Sequence, residues 1–320
     1  MGLPGRGRVH ALGRAGPVDD RATPTGWYGS PGRVVDSRAT SRQRCRCPDP
    51  VTRRAVSTSA TSTGPAPRAS SQVSVQLYTV REALAEDVAG TVARLAALGF
   101  TSVEPFGPLA LSDELAAALA EHDISAPTMH QGFVGQDDDA LDALFAAAAR
   151  RGTLTVIDPH TPPDRWRTRE DVEAVAAELA AAAGVAARHG VRVGYHNHAH
   201  ELESDLDGTS AFEVLAQRLA DVAPEVVLEV DTYWVAVGGH DPVALLQRLG
   251  DQVVAVHLKD GPATADVLDQ VALGQGTLPV TDIAAAAPHA LRVIELDDSR
   301  GDRFTAVADG LSFLREQGLA

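Results

Sequence analysis

The sequence predicts an α/β protein built as a single (β/α)8 barrel (TIM barrel), because strand-like and helix-like segments alternate from residue 73 to the C-terminus. Eight segments of each kind within about 250 residues match that fold in count and size. Several helical segments end in glycine, as at Gly99 and Gly152, where a left-handed residue commonly ends a helix. An open doubly wound sheet is the alternative, but the residues after Gln76 lack the Gly-rich phosphate loop typical of that fold.

The individual elements follow from the spacing of apolar residues along the chain. Runs rich in β-branched residues and bounded by turn residues predict the strands, at 73–78, 101–105, 124–130, 153–158, 190–197, 226–232, 252–259 and 291–296. Ala-rich amphipathic stretches between them predict the helices, at 85–98, 112–122, 137–149, 169–189, 209–221, 241–249, 279–287 and 303–317.

The first 72 residues differ in composition from the rest of the chain. They are rich in Arg, Gly, Pro, Ser and Thr and show no helical or strand periodicity, which predicts a disordered extension. They lack the apolar stretch of a signal peptide. An upstream start assigned in error is an equal alternative, with translation beginning at Val73. Cys45 and Cys47 both lie in this extension, so the barrel has no cysteine, and thiol catalysis is excluded.

The charge is distributed unevenly. The formal net charge is −15, yet residues 1–72 hold 12 Arg, no Lys and 4 Asp. The segment from residue 73 onward is therefore strongly acidic and would repel a phosphate backbone. No apolar stretch reaches the roughly 18 residues that a membrane span needs. We therefore expect a cytoplasmic protein that acts on a small molecule and binds neither nucleic acid nor membrane. A homo-oligomer remains open.

A single lysine, Lys259, stands among 28 basic residues. It ends the apolar run 253–258, and strand alternation places it on the same face as His257. Chance or a surface ammonium is one explanation. The other is that this position requires a compact cation whose pKa can be shifted, which arginine cannot supply.

Polar residues follow most of the predicted strands, at the end where barrel active sites lie. Any one of them could merely cap a helix or bond a loop. The fifth to eighth strands, however, end in His, Asp, His and Glu. Four such ligands from neighbouring strands can converge on one point, and a mixed imidazole–carboxylate set suits Mn²⁺, Zn²⁺, Co²⁺ or Fe²⁺. A divalent cation would also relieve the repulsion among the acids.

These strand ends resemble those of the sugar phosphate isomerase/epimerase family, whose members share the xylose isomerase-like barrel. The resemblance runs from about residue 73 to the C-terminus. It rests on Gln76-Leu77-Tyr78-Thr79-Val80-Arg81, Val103-Glu104-Pro105, Tyr195-His196-Asn197-His198 with Glu201, Val230-Asp231-Thr232-Tyr233-Trp234, His257-Leu258-Lys259-Asp260 and Gly274-Gln275-Gly276.

The resemblance implies one divalent metal ion, held by one residue from each of the last four strands: His196, Asp231, His257 and Glu295. The fifth-strand ligand is open, because many relatives carry Glu there and His196, His198 or Glu201 could serve. A further departure is His200, where an aromatic residue is more usual.

Such a site suggests proton abstraction next to a carbonyl of a sugar or keto-sugar, through an enediolate. Glu104 and Glu201 are the candidate bases, and Lys259 could face the developing oxyanion. Candidate substrate contacts are Gln76, Tyr78, Asn197, His198, Tyr233 and Trp234. This chemistry serves isomerisation, epimerisation and dehydration alike, so a keto-sugar or inosose dehydratase is the alternative. A non-catalytic sugar-binding barrel and a three-zinc AP endonuclease are weaker rivals, and the acidic charge argues against the nuclease.

Overall fold

The computed structural model describes residues 72–320. Almost all of the predicted N-terminal extension, including both cysteines, lies outside these residues. Its predicted disorder and the alternative start at Val73 therefore stay predictions.

Within residues 72–320, seven strands form one parallel sheet in the order β1-β7-β6-β5-β4-β3-β2. Each lies inside a strand that the sequence predicts, because continuous apolar runs favour strands that are buried on both faces. Their bounds are β1 Val73–Val75, β2 Thr128–His130, β3 Thr155–Asp158, β4 Arg192–His196, β5 Val227–Asp231, β6 Val253–Leu258 and β7 Leu291–Ile294.

The prediction of a regular second strand at 101–105 is wrong. This segment makes isolated parallel bridges instead, from Glu104 to Gln76 on one side and from Phe106 to His130 on the other. Pro105 lies between these two bridges and has no N–H to donate, which limits a continuous ladder. The segment 101–106 still joins β1 to β2, the two strands at the ends of the sheet order.

Helices follow the strands, and they agree closely with the predicted ones. The described helices are α1 Arg81–Glu86, α2 Val88–Leu98, α3 Asp113–Glu121, α4 Asp138–Arg150, α5 Arg169–Ala186, α6 His200–Glu203, α7 Ala211–Val222, α8 Thr232–Val237, α9 Pro242–Leu249, α10 Val280–Ala286 and α11 Arg303–Glu316. The short helices α6 and α8, which come after β4 and β5, are additional to the prediction. The predicted helix 85–98 is two helices, α1 and α2, and α1 begins earlier, at Arg81. None of the helices in the described part of the chain combines the length and hydropathy needed to cross a membrane.

Strand alternation divides the buried residues into two environments. On β5, Leu228 and Val230 belong to the hydrophobic core between sheet and helices. Glu229 and Asp231 point to the opposite face, where they meet side chains from other strands. The interior of the sheet therefore carries charge, while its outer face carries the apolar core.

Candidate metal centre

The predicted metal ligands converge at the carboxyl ends of β4 to β7. Ligand atoms of Asp231, His257 and Glu295 all lie within 4.8 Å of one another. Nε2 of His196 lies 3.7 Å from Oδ2 of Asp231. Parallel register explains the meeting, since Asp231 pairs with His257 across β5 and β6. Four neighbouring strands thus bring two imidazoles and two carboxylates together.

Asp231 uses its two carboxylate oxygens differently. Oδ1 caps helix α8 by accepting hydrogen bonds from the backbone N–H groups of Tyr233 and Trp234, each at 3.0 Å. Oδ2 is buried and lies 2.9 Å from Nζ of Lys259 and 3.7 Å from Nε2 of His196. Buried carboxylate oxygens beside imidazole nitrogens form the kind of donor set that a divalent transition metal prefers, so the residues present fit the implied ion.

Lys259 is fully enclosed by this acidic group, with only 1% of its surface exposed. Its Nζ lies 2.6 Å from Asp297 Oδ2 and 2.9 Å from a carboxylate oxygen of both Asp231 and Glu295. Burial opposes the charged ammonium, but these carboxylates outweigh it and hold the pKa of Lys259 well above its usual value. Lys259 is therefore a buried cation that balances the acids around it.

A second group of charged residues lies beside the first, formed by Glu104, His130 and Glu229. Oε2 of Glu229 lies 2.5 Å from Nε2 of His130 and 3.1 Å from both Nδ1 of His196 and Nε2 of His257. One ligand atom each from His130, His196, Glu229 and His257 lie within 4.8 Å of one another. The two groups thus share His196 and His257.

Sequence reasoning missed His130 and Glu229. Glu229 precedes Asp231 by two residues on β5, so strand alternation could have placed it on the same face. His130 ends β2, the third predicted strand, as the other ligands end theirs. The sequence does not show that these two residues, which lie on different strands, are in contact.

Glu104, a predicted base, contacts His257. Its Oε1 lies 2.7 Å from Nε2 of His257 and accepts a hydrogen bond of 2.8 Å from the side chain of Gln76. Its Oε2 is buried without a hydrogen-bond partner in the described part of the chain. Burial, with the nearby charge of Glu229, raises the pKa of Glu104. Gln76 therefore orients Glu104, and its predicted contact with a substrate hydroxyl stays a prediction.

Burial and neighbouring charge set the ionisation of the predicted ligands. Burial raises the pKa of Asp231 to about 6, against the opposing effect of Lys259. Burial and His257 lower the pKa of His196 to about 3, so this imidazole is neutral near pH 7. Burial disfavours charge on His257 too, but Glu229 and Glu295 outweigh it and raise its pKa well above the usual value.

The other predicted base, Glu201, makes no hydrogen bond or ion pair with the predicted metal ligands or with Glu104, His130 and Glu229. Its carboxylate accepts hydrogen bonds of 2.8 Å from the Tyr195 hydroxyl and from the backbone N–H of His198. Tyr195 precedes His196 on β4 and points to the opposite face, where it packs beside Trp166. Burial raises the pKa of Glu201 to about 7.

Two residues predicted to contact the substrate, Asn197 and Tyr233, make hydrogen bonds to backbone groups of the protein. The amide of Asn197 accepts a 3.0 Å hydrogen bond from the backbone N–H of Asp231 and donates to the Asp231 carbonyl oxygen at 3.3 Å. Tyr233 is fully buried, and its hydroxyl donates to the backbone oxygen of Thr264. Both side chains therefore hold backbone groups of the protein, and their contact with a sugar stays a prediction.

Three predicted substrate contacts are only partly buried. The ring of Tyr78 packs edge-on against Phe106 with centroids 5.2 Å apart. The ring of Trp234 lies 6.1 Å from that of His198 and 5.8 Å from Nζ of Lys259. Within residues 72–320, Trp234 Nε1 and His198 Nδ1 are buried polar atoms without a hydrogen-bond partner. Their contact with a substrate stays a prediction.

The Gly-x-Gly sequence at 274–276 has a structural partner in Asp260. This carboxylate accepts hydrogen bonds from the backbone N–H groups of Gly274 and Gly276, at 2.9 and 3.0 Å. A Cβ atom at Gly276 would lie 2.1 Å from Asp260 Oδ1. Glycine is required there because only its backbone can approach the carboxylate so closely.

Comparison with known proteins agrees with this fold. Residues 92–317 match the family model described as xylose isomerase-like TIM barrel. No curated protein sequence matches the chain. A sugar phosphate isomerase/epimerase from Parabacteroides distasonis is similar with a TM-score of 0.65 and 19% identity, over 76% of this chain and 97% of that chain.

Two further solved structures share the fold at similar distance. The IOLI protein with a bound zinc atom has a TM-score of 0.60 and 15% identity, over 77% of this chain and 97% of that one. A probable 3-DHS dehydratase, AsbF, from Bacillus anthracis has a TM-score of 0.60 and 13% identity, over 76% and 98%. The family model covers more than half of the sequence, and the chain belongs to the xylose isomerase-like TIM barrel family.

Proposed function

We propose that this protein is a divalent-metal-dependent isomerase or epimerase that acts on a sugar or keto-sugar. The observation that carries the proposal is the meeting of Asp231, His257 and Glu295 within 4.8 Å, beside His196. Mixed imidazole and carboxylate ligands suit Mn²⁺, Zn²⁺ or Co²⁺, and Mg²⁺ remains a further candidate.

We assign His196, Asp231, His257 and Glu295 as the residues that hold the ion. Of the three candidates for the fifth predicted strand, His196 is favoured because its Nε2 faces Asp231. Glu201 is occupied by Tyr195 and by the backbone of His198. A divalent cation at such a site supplies Lewis-acid polarisation of a bound carbonyl group.

Glu104 is the favoured base among the two predicted ones. Its Oε1 is held by His257 and Gln76, while Oε2 is a buried oxygen with a free lone pair. In the proposed step, Oε2 takes a proton from the carbon next to the carbonyl, and the C–H electrons form the enediolate. Delivery of that proton to the neighbouring carbon, with transfer of a hydroxyl proton between the two oxygens, gives isomerisation, whereas epimerisation requires a proton from a second acid on the opposite face.

Dehydration is the alternative outcome of the same first step. If a hydroxyl group lies on the next carbon, the enediolate can expel it as hydroxide, which a proton donor converts to water, and no proton returns to carbon. We place isomerisation or epimerisation first because it needs no group to assist the departing hydroxyl. Analysis of the product decides between the two reactions.

The first test is the metal content of the full chain purified without chelator, together with titration of Mn²⁺ or Co²⁺ into the metal-free protein. We expect one divalent ion per chain. Asp231→Asn keeps the oxygen that caps α8 and removes a ligand, so its metal Kd should rise by more than about 100-fold. Asp241→Asn is the matched control, since Asp241 caps α9 in the same way and lies on the surface.

The second test is exchange of the α-proton of candidate keto-sugars in D₂O by the metal-loaded protein. Exchange that is lost in Glu104→Gln, measured at Mn²⁺ or Co²⁺ concentrations that saturate the variant, would support the assigned base. Three zinc ions per chain would instead favour the nuclease. A protein that binds no Mn²⁺, Co²⁺ or Zn²⁺ would contradict the proposal and leave a sugar-binding barrel as the better interpretation.

A further inference from the structure

Both imidazoles assigned to the metal have one ring nitrogen that faces the ligand set and one that faces a buried carboxylate. His196 directs Nε2 toward Asp231 at 3.7 Å and Nδ1 toward Glu229 at 3.1 Å. His257 directs Nδ1 toward Glu295 at 2.6 Å and Nε2 toward Glu104 at 2.7 Å. Glu104 and Glu229 are both fully buried.

This arrangement determines where the ring proton belongs in a metal-bound state. A neutral imidazole carries one N–H and one nitrogen lone pair. The nitrogen that faces an ionised carboxylate keeps the proton, because the carboxylate accepts that hydrogen bond. The other nitrogen then presents its lone pair to a cation.

We propose that Glu229 is a positioning residue for the metal centre: it accepts the Nδ1 proton of His196 and thereby directs the Nε2 lone pair toward Asp231. This inference rests on the proposed function. It gives a role to a buried glutamate that contributes no ligand to the proposed ion, and it joins β4 and β5 through the registered pair His196 and Glu229.

His130 completes the arrangement from the opposite side of Glu229. Its Nε2 lies 2.5 Å from Oε2 of Glu229 and 3.2 Å from Oε1 of Glu104. A proton on His130 Nε2 donates to Glu229, and the proton on His257 Nε2 donates to Glu104. Protons alone therefore satisfy the nitrogen–oxygen contacts of the second group, so a second cation is not required there.

The main test compares divalent-metal affinity in the wild-type full chain and in Glu229→Gln, by titration of Co²⁺ or Zn²⁺. A glutamine has nearly the same shape but only one acceptor oxygen and no charge. We expect the metal Kd to rise by about 10- to 100-fold, as for other partners of metal-bound histidines. Glu229→Asp retains the charge and should recover part of the affinity.

Asp158→Asn is the matched control for removal of a buried carboxylate. Asp158 ends β3, and its Oδ2 accepts backbone N–H bonds from Phe133 and Val134 at 2.6 and 2.7 Å. Its replacement should leave the metal Kd unchanged. An equal loss of affinity in both variants would mean that buried charge, and not the position of His196, controls binding, which would overturn the inference.

A second readout needs no variant and no metal. Ring ¹⁵N chemical shifts of His196 in the metal-free wild-type protein report which nitrogen carries the proton. We expect protonation at Nδ1, and a mixture of tautomers in Glu229→Gln. Protonation of His196 at Nε2 in the wild-type protein would overturn the inference even if the variant does not fold.

The remaining outcomes separate this inference from the proposed function. One ion per chain with an unchanged Kd in Glu229→Gln would overturn the positioning role and leave the proposed function intact. Two ions per chain, one of them lost in Glu229→Gln, would overturn it in favour of a second metal site. A wild-type protein that binds no metal would contradict both, although the Nδ1 proton of His196 could still be observed.

Discussion

Two sets of three histidines lie close together in this barrel and differ in the charges they meet. The inner imidazoles (His130, His196 and His257) contact the carboxylates Glu104, Glu229 and Glu295. The outer imidazoles (His160, His198 and His200) contact mainly one another, with ring centroids 5.2 to 6.0 Å apart.

Burial acts in the same direction in both sets, since it disfavours a charged imidazole. In the outer set burial prevails, and it lowers the pKa of His160 and holds that of His200 at about 4. In the inner set the carboxylates prevail at His130 and His257, whose pKa values are raised. At His196, the third inner imidazole, a single close carboxylate contact, to Glu229, does not offset burial, and the pKa is lowered to about 3. The pKa of a buried histidine is raised here only where two or more carboxylates contact the ring, as at His130 and His257.

Among the changes to the charges of this site, removal of the buried ammonium of Lys259 should have the largest effect on stability. Lys259→Met leaves Asp231, Glu295 and Asp297 without their shared cation, so we expect the metal-free protein to lose about 3–5 kcal/mol of stability. Added Co²⁺ or Mn²⁺ should restore more stability to this variant than to the wild type. Urea unfolding with chelator and with metal measures both effects.

Arg300→Met is the control for that experiment. Arg300 pairs with Asp266 and Asp269 on the surface, and exposed pairs contribute about 1 kcal/mol or less. If Lys259→Met were no less stable than Arg300→Met in the presence of chelator, the buried carboxylates would not depend on Lys259 for compensation.

A smaller effect should come from Glu201, the carboxylate whose Oε1 lies 3.2 Å from Nε2 of His200. Burial raises its pKa from 4.5 to about 7, so the folded state binds this proton more tightly than the unfolded state. Below pH 4.5 both states are protonated and the residue contributes no pH dependence. As pH rises from 4.5 to 7, the folded state becomes less stable, by about 3 kcal/mol in total.

Glu201→Gln should remove that part of the pH dependence, so the variant should gain stability relative to the wild type as pH rises from 5 to 8. Denaturant unfolding of the metal-free proteins across this range provides the measurement. Glu203→Gln alters an exposed residue of the same short helix and should follow the wild-type profile. Parallel profiles for Glu201→Gln and wild type would show that Glu201 is already ionised at pH 5.

The smallest effect is expected in the outer set. His200→Phe loses one hydrogen bond, from Nε2 to the backbone oxygen of Thr161 at 3.1 Å, and keeps an aromatic ring beside His160. We expect a stability change within about 1 kcal/mol and an unchanged metal Kd. A marked loss of metal binding in this variant would mean that the outer imidazoles take part in the metal centre.

Much of the fold could be predicted from the sequence because the apolar runs are long and regular. The four strand-end residues His196, Asp231, His257 and Glu295 could be placed together for the same reason, since parallel strands end at the same edge. Glu201 could not be placed by this reasoning. Strand alternation stops where β4 ends, and helix α6, which begins at His200, directs the Glu201 side chain toward Tyr195.

Interactions between strands that are distant in the chain were the other missing part. His130 and Glu229 are 99 residues apart, and nothing in local periodicity joins them. Asn197 and Gln76 suited hydroxyl binding by chemical type, but their amides are occupied by Asp231 and Glu104. A polar residue at a strand end can therefore bind a substrate or hold a neighbour, and the sequence alone does not distinguish the two.

The irregular segment 101–106 interrupts an otherwise continuous ladder of strands. Isolated bridges at Ser102, Glu104 and Phe106 replace a continuous ladder there, whereas His196, Asp231 and His257 stand on regularly paired strands. Glu104 lies on this segment, but its backbone N–H and C=O groups bond to Val75 and Leu77 at 2.8 and 2.9 Å, so the proposed base is still fixed beside His257 where the ladder is irregular.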